Sequence, residues 1–384
     1  MSNGTGGNLA LVMSGGGARA AYQVGMLRWL ARRHPNLHVP ILTGVSAGAI
    51  NAAYLAARPE DFRTRVEQLA KLWGHLTAER VFRVDTLSLG RNVLRLGFKL
   101  VSGGFISAPR PRAAVDTRPL WDLLEEALEA RDGALPGIED NLTRGALRAV
   151  AITTSSYTTG QSITWVQGSG IPQWDRAQRK SVNATLNVRH VMASAALPIF
   201  FPAVDIDGQW YGDGGLRLTA PLSPAVHLGA DRILAISTRY QRSRVEADQP
   251  AVTGYPPPAQ IMGSLFNAVF LDLFDADALG LQRLNGVVES IPEERREGLR
   301  TIRLIVIRPS RDLGKLANDY EVRLPAAFRF LTRGLGTQET RSNDLLSLLM
   351  FQPDYLTRLI ELGEADAEAR RDEIEDLLAE PPRS

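Results

Sequence analysis

The 384-residue sequence contains no cysteine. Disulfides, thiolate nucleophiles and cysteine-based zinc sites are thereby excluded. Acidic residues are missing from one end: residues 1–59 hold no Asp or Glu against five arginines, and the first acid is Glu60. Long apolar runs are absent too, since none approaches the roughly eighteen residues of a membrane span. The opening stretch, Met1 to Gly7, is polar and uncharged, without the basic region of a secretory signal. These absences give the expectation of a soluble, cytoplasmic protein, at most peripheral to the inner face of a membrane. A net charge of +2 supplies no whole-chain attraction for nucleic acid, and no such partner is expected. Histidine is scarce, at five residues, a shortage that bears on the chemistry below.

What is present reads as an α/β chain. Leu9 to Met13 has the continuous apolar character of a fully buried parallel strand. The spacing of Tyr22, Met26, Leu27 and Leu30 predicts a helix over 20–33, and Ile41-Leu42 a second strand feeding a helix over 47–57. Strand, helix, strand, helix predicts a three-layer sandwich with a mostly parallel central sheet. From Pro59 to about Ala130 the strand signals stop, which predicts a helical, cap-like insertion over about 60–130. Strands resume at Ala149 to Thr154 and Gln161 to Val166, with a turn at Tyr157-Thr158-Thr159-Gly160. A hairpin about Asp207-Gly208 delivers the chain into Gly212-Asp213-Gly214-Gly215. Arg232 to Ser237 and Thr301 to Ile307 read as further strands, and Ile261 to Asn285 as one long helix. The expected organisation is an α/β domain over 1–311 and a helical extension over 312–384. Residues 351–384 carry ten acids against four arginines, so the end of that extension reads as an exposed acidic helix.

Three glycine-framed stretches stand at strand ends, where an α/β sheet presents its ligands. Gly44-Val45-Ser46-Ala47-Gly48 follows a strand and opens a helix, the arrangement of an elbow that holds a nucleophile on a strained turn. The plain alternative is that Ser46 N-caps the helix. Gly15, Gly16, Gly17 and Ala18 can aim consecutive backbone N–H groups into one concavity, the chemistry of an oxyanion hole. Asp213 offers a carboxylate between glycines, expected to be exposed. A histidine base would follow the acid in chain order, and only His227 does. The alternative is a two-residue device in which Asp213 is the base for Ser46, which requires desolvation to raise its pKa from about 4. Gly15-x-Gly17-x-x-Ala20 also satisfies a dinucleotide fingerprint. The ribose-binding acid that fold needs about twenty residues on is missing.

Taken together, Gly15-Gly16-Gly17-Ala18-Arg19, Gly44-Val45-Ser46-Ala47-Gly48 and Asp213-Gly214-Gly215 resemble the three signature blocks of the patatin-like phospholipase family. Ala193-Ser194-Ala195-Ala196-Leu197-Pro198 resembles a fourth, and the resemblance spans about residues 9–240. It implies Ser46 as nucleophile, Asp213 as its partner in a Ser-Asp dyad, and the amides of Gly15 to Ala18 as the oxyanion hole. It also implies hydrolysis of acyl esters of membrane lipids, with no metal or other cofactor. Ala20 departs mildly, standing where the Gly-rich block often has Gly. The expected function is a serine lipid acyl hydrolase of phospholipase A or lysophospholipase type. An acyltransferase and a lipid-binding scaffold with little turnover stay as alternatives.

Lesser candidates have two readings each. Arg19 is either a packing or salt-bridge residue, or a contact for lipid phosphate near the hole. Ser194 reads as structural. Arg91, Arg95 and Lys99 recur every four residues and share one helical face. That stripe is either the solvated side of a cap helix or a membrane-facing surface, where each basic residue contributes about 1 kcal/mol beside anionic headgroups.

Overall fold

The computed structural model describes residues 8–83, 115–249, 254–270, 272–321, 329, 337 and 342–379. Its strands are β1 Leu9–Met13, β2 Ile41–Val45, β3 Ala149–Ser156, β4 Ser162–Gly168, β5 Asp175–Arg176, β6 Arg179–Asn183, β7 Val204–Ile206, β8 Gln209–Asp213, β9 Arg232–Ile236 and β10 Arg303–Ile307. They form one mixed sheet in the order β10-β9-β1-β2-β3-β4-β6-β5. The run from β10 to β3 is parallel throughout. β4 returns antiparallel to β3, and β8 pairs antiparallel with the far end of β3, Thr154 opposite Asp213. The chain steps from β1 to β2 on one side and later to β9 on the other. That reversal opens a crevice at the carboxyl ends of these strands.

The alternation within β1 explains the layers. Leu9, Leu11 and Met13 enter one hydrophobic cluster, while Ala10 and Val12 enter a second on the opposite face. The first cluster packs under α1 (Ala21–Arg33), α2 (Ala47–Ala57) and α3 (Phe62–Gly74). Around it also lie α4 (Arg118–Ala127), α5 (Val188–Ser194) and α6 (Pro258–Phe270). The second cluster includes Phe274 and Ala278 of α7 (Asp272–Ser290). Residue 271, inside the single long helix expected over 261–285, lies outside the described residues, as do Arg91, Arg95 and Lys99.

Beyond residue 311 come α8 (Asp344–Leu349), α9 (Pro353–Ala369) and α10 (Arg371–Leu378). These helices share the first cluster rather than standing apart from it. α1 and α9 cross glycine on glycine: a Cβ on Gly25 would stand 1.9 Å from the Ile360 carbonyl oxygen, and one on Gly363 2.1 Å from that of Tyr22. The acid-free, arginine-rich start of the chain finds its counterions here. Arg28 grips Glu364 through two bonds of 2.5 and 2.7 Å, Arg32 reaches Glu67 and Glu364, and Arg33 reaches Glu375. Trp29 donates to Glu368 at 2.6 Å. The end of the extension is an amphipathic helix: Asp372, Glu373 and Asp376 of α10 are exposed as composition predicts, while Glu375 pairs with Arg33 and Ile374 and Leu377 are buried.

Candidate active site

Ser46 joins β2 to α2 with φ 55° and ψ −130°, a left-handed conformation that a side-chain-bearing residue holds only under strain. Its hydroxyl makes no capping bond to α2, so the helix-cap reading fails. The turn is tight beneath it, since a Cβ on Gly48 would stand 2.3 Å from the Met13 carbonyl oxygen. What holds the elbow is Ser194. The Ser46 N–H donates to Ser194 Oγ at 3.0 Å, and that hydroxyl donates to the Thr153 carbonyl at 2.6 Å. The same segment carries the acid, because the Asp213 N–H donates to the Ala196 carbonyl at 3.0 Å. Ser194→Ala is expected to lower stability by about 2–3 kcal/mol, because it orphans a buried N–H and weakens a buried carbonyl. The measurement is the urea midpoint, and an unchanged midpoint would refute the role.

The Gly15–Ala18 loop lies against Ser46. A Cβ on Gly15 would stand 2.9 Å from Ser46 Cβ. Its peptides are turned by their carbonyls: Gly15 O accepts from Thr238 Oγ1 at 2.6 Å and from Ser14 Oγ at 3.2 Å. The N–H groups of Gly16 and Gly17 have no acceptor among the described residues, and both glycines line the cleft with Ser46. A buried polar relay supports the loop from below. Trp73 donates to Asn51 (2.8 Å), Asn51 to Gln23 (3.0 Å), and Gln23 to the Ser14 carbonyl (2.7 Å). Sequence reading missed Gln23, Asn51 and Thr238; the available signal was an amide at a core position of each of two apolar helices.

Asp213 is fully buried, against the exposed carboxylate expected. Its Oδ1 accepts from the Gly215 N–H at 2.9 Å, while Oδ2 is buried with no hydrogen bond of ordinary geometry. Burial pushes the carboxyl up to about 7, and the Ser46 hydroxyl and Gly215 N–H pull it back. The Ser46 hydroxyl is thus near enough to act on the carboxyl without closing a bond of ordinary geometry. His227 stacks on Trp174, with ring centroids 4.4 Å apart, and His190 caps α5 with Asn187, its pKa pushed down to about 4 by burial. Neither imidazole lines the cleft. Arg19 turns its guanidinium away from the cleft, into a buried pair with Asp344 at 2.6 Å and a bond to Ser347 Oγ at 2.7 Å. That is the packing reading of the two.

Residues 11–226 match the patatin-like phospholipase family, more than half of the chain. The chain belongs to the patatin-like phospholipase family. With the family comes the class of enzyme, a lipid acyl hydrolase. Solved structures with a similar fold include VipD from Legionella pneumophila (14% identity, covering 96% of this chain and 67% of that one, TM-score 0.39). Human GIVD cytosolic phospholipase A2 is another (12%, 98% and 60%, 0.46), as is ExoU of Pseudomonas aeruginosa (15%, 97% and 54%, 0.40). The chain spans less than two thirds of these last two. No curated protein matches it.

The patatin-like site opens into a narrow cleft. Apart from Ser46 and Asp213 its walls are glycine and apolar side chains. Leu72, Trp73, Leu76 and Val81 form one wall, and Leu120, Leu123 and Leu124 of α4 another, so both described flanks of the 60–130 segment face it. Leu348, Leu349 and Phe351 close it from the C-terminal side. Such a lining suits an alkyl chain and offers almost nothing to a polar one. Among the described residues no helix is long and apolar enough to cross a membrane.

Proposed function

We propose that the protein is a serine lipid acyl hydrolase of phospholipase A or lysophospholipase type that works through a Ser46–Asp213 dyad. Asp213 takes the Ser46 proton as Oγ attacks the ester carbonyl. Amides of the Gly15–Ala18 loop accept the negative charge that develops on the carbonyl oxygen. Collapse of the tetrahedral intermediate breaks the ester bond, and Asp213 returns the proton to the leaving alcohol. A water, deprotonated by the same carboxylate, then releases the fatty acid from the acyl-enzyme. The observation that carries this reading is the convergence of a strained serine and a buried carboxyl near neutral pKa on one apolar cleft. A carboxylate with an ordinary pKa of about 4 would be too weak a base at neutral pH.

The test is labelling with an alkyl fluorophosphonate and hydrolysis of esters of graded chain length. Wild type is expected to label stoichiometrically and Ser46→Ala not at all, with turnover rising as the acyl chain fills the cleft. Equal labelling of the two proteins would remove Ser46 from the mechanism.

A further inference from the structure

Ile199 is β-branched, yet its backbone sits at φ 74°, where such residues are rare and strained. The interior gains nothing from this, because the side chain is 74% exposed. Leu197 and Phe201 on either side line the acyl cleft, so the strained turn holds an isoleucine outward at the cleft mouth. Phe200 packs on Phe266 of α6, with ring centroids 6.2 Å apart. On the outer side of α6, Ile261 is 42% and Leu265 61% exposed, one turn apart on a shared face. The turn Gly214–Arg217, directly after Asp213, contacts α6 and adds exposed Leu216.

The patch continues on the other side of that turn. The Arg217 guanidinium lies over Gly160, in the turn between β3 and β4. Tyr157 of the same turn bonds through its N–H to the Trp210 carbonyl at 2.8 Å, and both rings are almost half exposed. Arg217 itself is exposed and has no ion pair among the described residues. Aromatic rings with polar edges beside an unpaired cation suit the boundary between acyl chains and anionic headgroups.

We infer that Ile199, Leu216, Ile261 and Leu265 form a rim that seats on an anionic phospholipid bilayer and passes an acyl chain directly to the cleft. The inference rests on the lipid hydrolase reading, because continuity with the cleft mouth is what selects the occupant. A protein partner or a second copy seated there would cover the entrance that the substrate must use.

The experiment is co-sedimentation of the full chain with vesicles of phosphatidylcholine mixed with phosphatidylglycerol, run beside hydrolysis of a soluble short-chain ester. Ile199→Gly relieves the backbone strain, so it is expected to fold at least as well as wild type. Ile199→Gly and Leu265→Asp are each expected to weaken vesicle partitioning by about fivefold to tenfold, and the double variant by about fiftyfold. Turnover of the soluble ester stays near wild type in all three. Arg217→Glu weakens binding only where phosphatidylglycerol is present. Vesicle binding lost in the rim variants but accompanied by no ester turnover in wild type leaves the surface standing and sinks the hydrolase reading. Wild type that binds no vesicles, rim variants that bind as wild type does, or a wild-type dimer that the same variants dissociate would each overturn the proposal.

Discussion

Asp213→Asn is expected to lower ester turnover by about 10²–10⁴-fold, the range of a lost general base, and to give a protein that melts higher than wild type above neutral pH. The two outcomes share one cause. The folded pKa is about 7, and the unfolded value is about 3.9. Between those values the folded protein holds a proton that the unfolded chain has released. Stability from this group is therefore fully present below about pH 4 and is lost as pH rises through about 7. A shift of roughly three units corresponds to about 4 kcal/mol of destabilisation at alkaline pH. Asparagine retains the acceptor for the Gly215 N–H and has no charge to bury. Its melting temperature should exceed that of wild type at about pH 8, and the gap should close at about pH 4. A gap of equal size at both extremes would mean that burial of the carboxylate is not its source. Wild-type kcat/KM should rise with pH and reach half its plateau near the same value of about 7, because only the ionised carboxylate can take the serine proton.

The parts of this protein legible in its sequence are those where one local requirement dominates. β1 and β2 are buried on both faces, so their apolar runs needed no context. The Asp207-Gly208 turn has both residues at positive φ, the geometry its composition announces. By contrast, β6 reads Arg-Lys-Ser-Val-Asn, and nothing in that pattern marks a strand lying between β4 and β5; long-range pairing decides it. The short helix Pro136–Thr143 is equally faint, with Pro at its start and one turn of apolar spacing. In the site, the elbow and the glycine loop were legible because close backbone approach demands glycine. The burial of Asp213 was not, since it depends on α5, β3 and the chain after 195 meeting in space. The contribution of Ser194 to the elbow was hidden for the same reason: a serine 148 residues away from Ser46 supplies its hydrogen bond. Charge asymmetry was legible both as a fact and, in Asp372, Glu373 and Asp376, as a surface. What composition did not announce is that Arg28, Arg32 and Arg33 of the arginine-rich start meet Glu364 and Glu375 across one packed interface.

That interface carries the second large effect: Asp344→Ala is expected to reduce kcat by about a hundredfold, although Asp344 lies outside the family match. Arg19 is 3% and Asp344 13% exposed, and Arg19 closes the very segment that carries the proposed oxyanion glycines. Removing the carboxylate leaves a buried guanidinium unpaired, which typically costs about 3–5 kcal/mol, a large part of ordinary protein stability. Gly17 adds the geometric link, since a Cβ there would stand 2.2 Å from the Leu348 carbonyl oxygen. α8 therefore seats directly on the loop whose amides are proposed to meet the oxyanion, and its Leu348 and Leu349 form cleft wall. An amide displaced by even part of its hydrogen-bond length loses most of one oxyanion contact, worth a factor of about 10²–10³. Replacing the pair by Arg19→Met with Asp344→Leu should restore the urea midpoint, because apolar packing substitutes well for a buried ion pair. Turnover of a short-chain ester in the single and double variants then separates seating from mere stability. Recovery of both midpoint and kcat in the double variant would show that any well-packed contact seats the loop. Recovery of the midpoint alone would show that the ion pair itself sets the loop's position. Asp344→Ala with wild-type kcat and wild-type midpoint would contradict both, and would return the C-terminal helices to the status of an appendage.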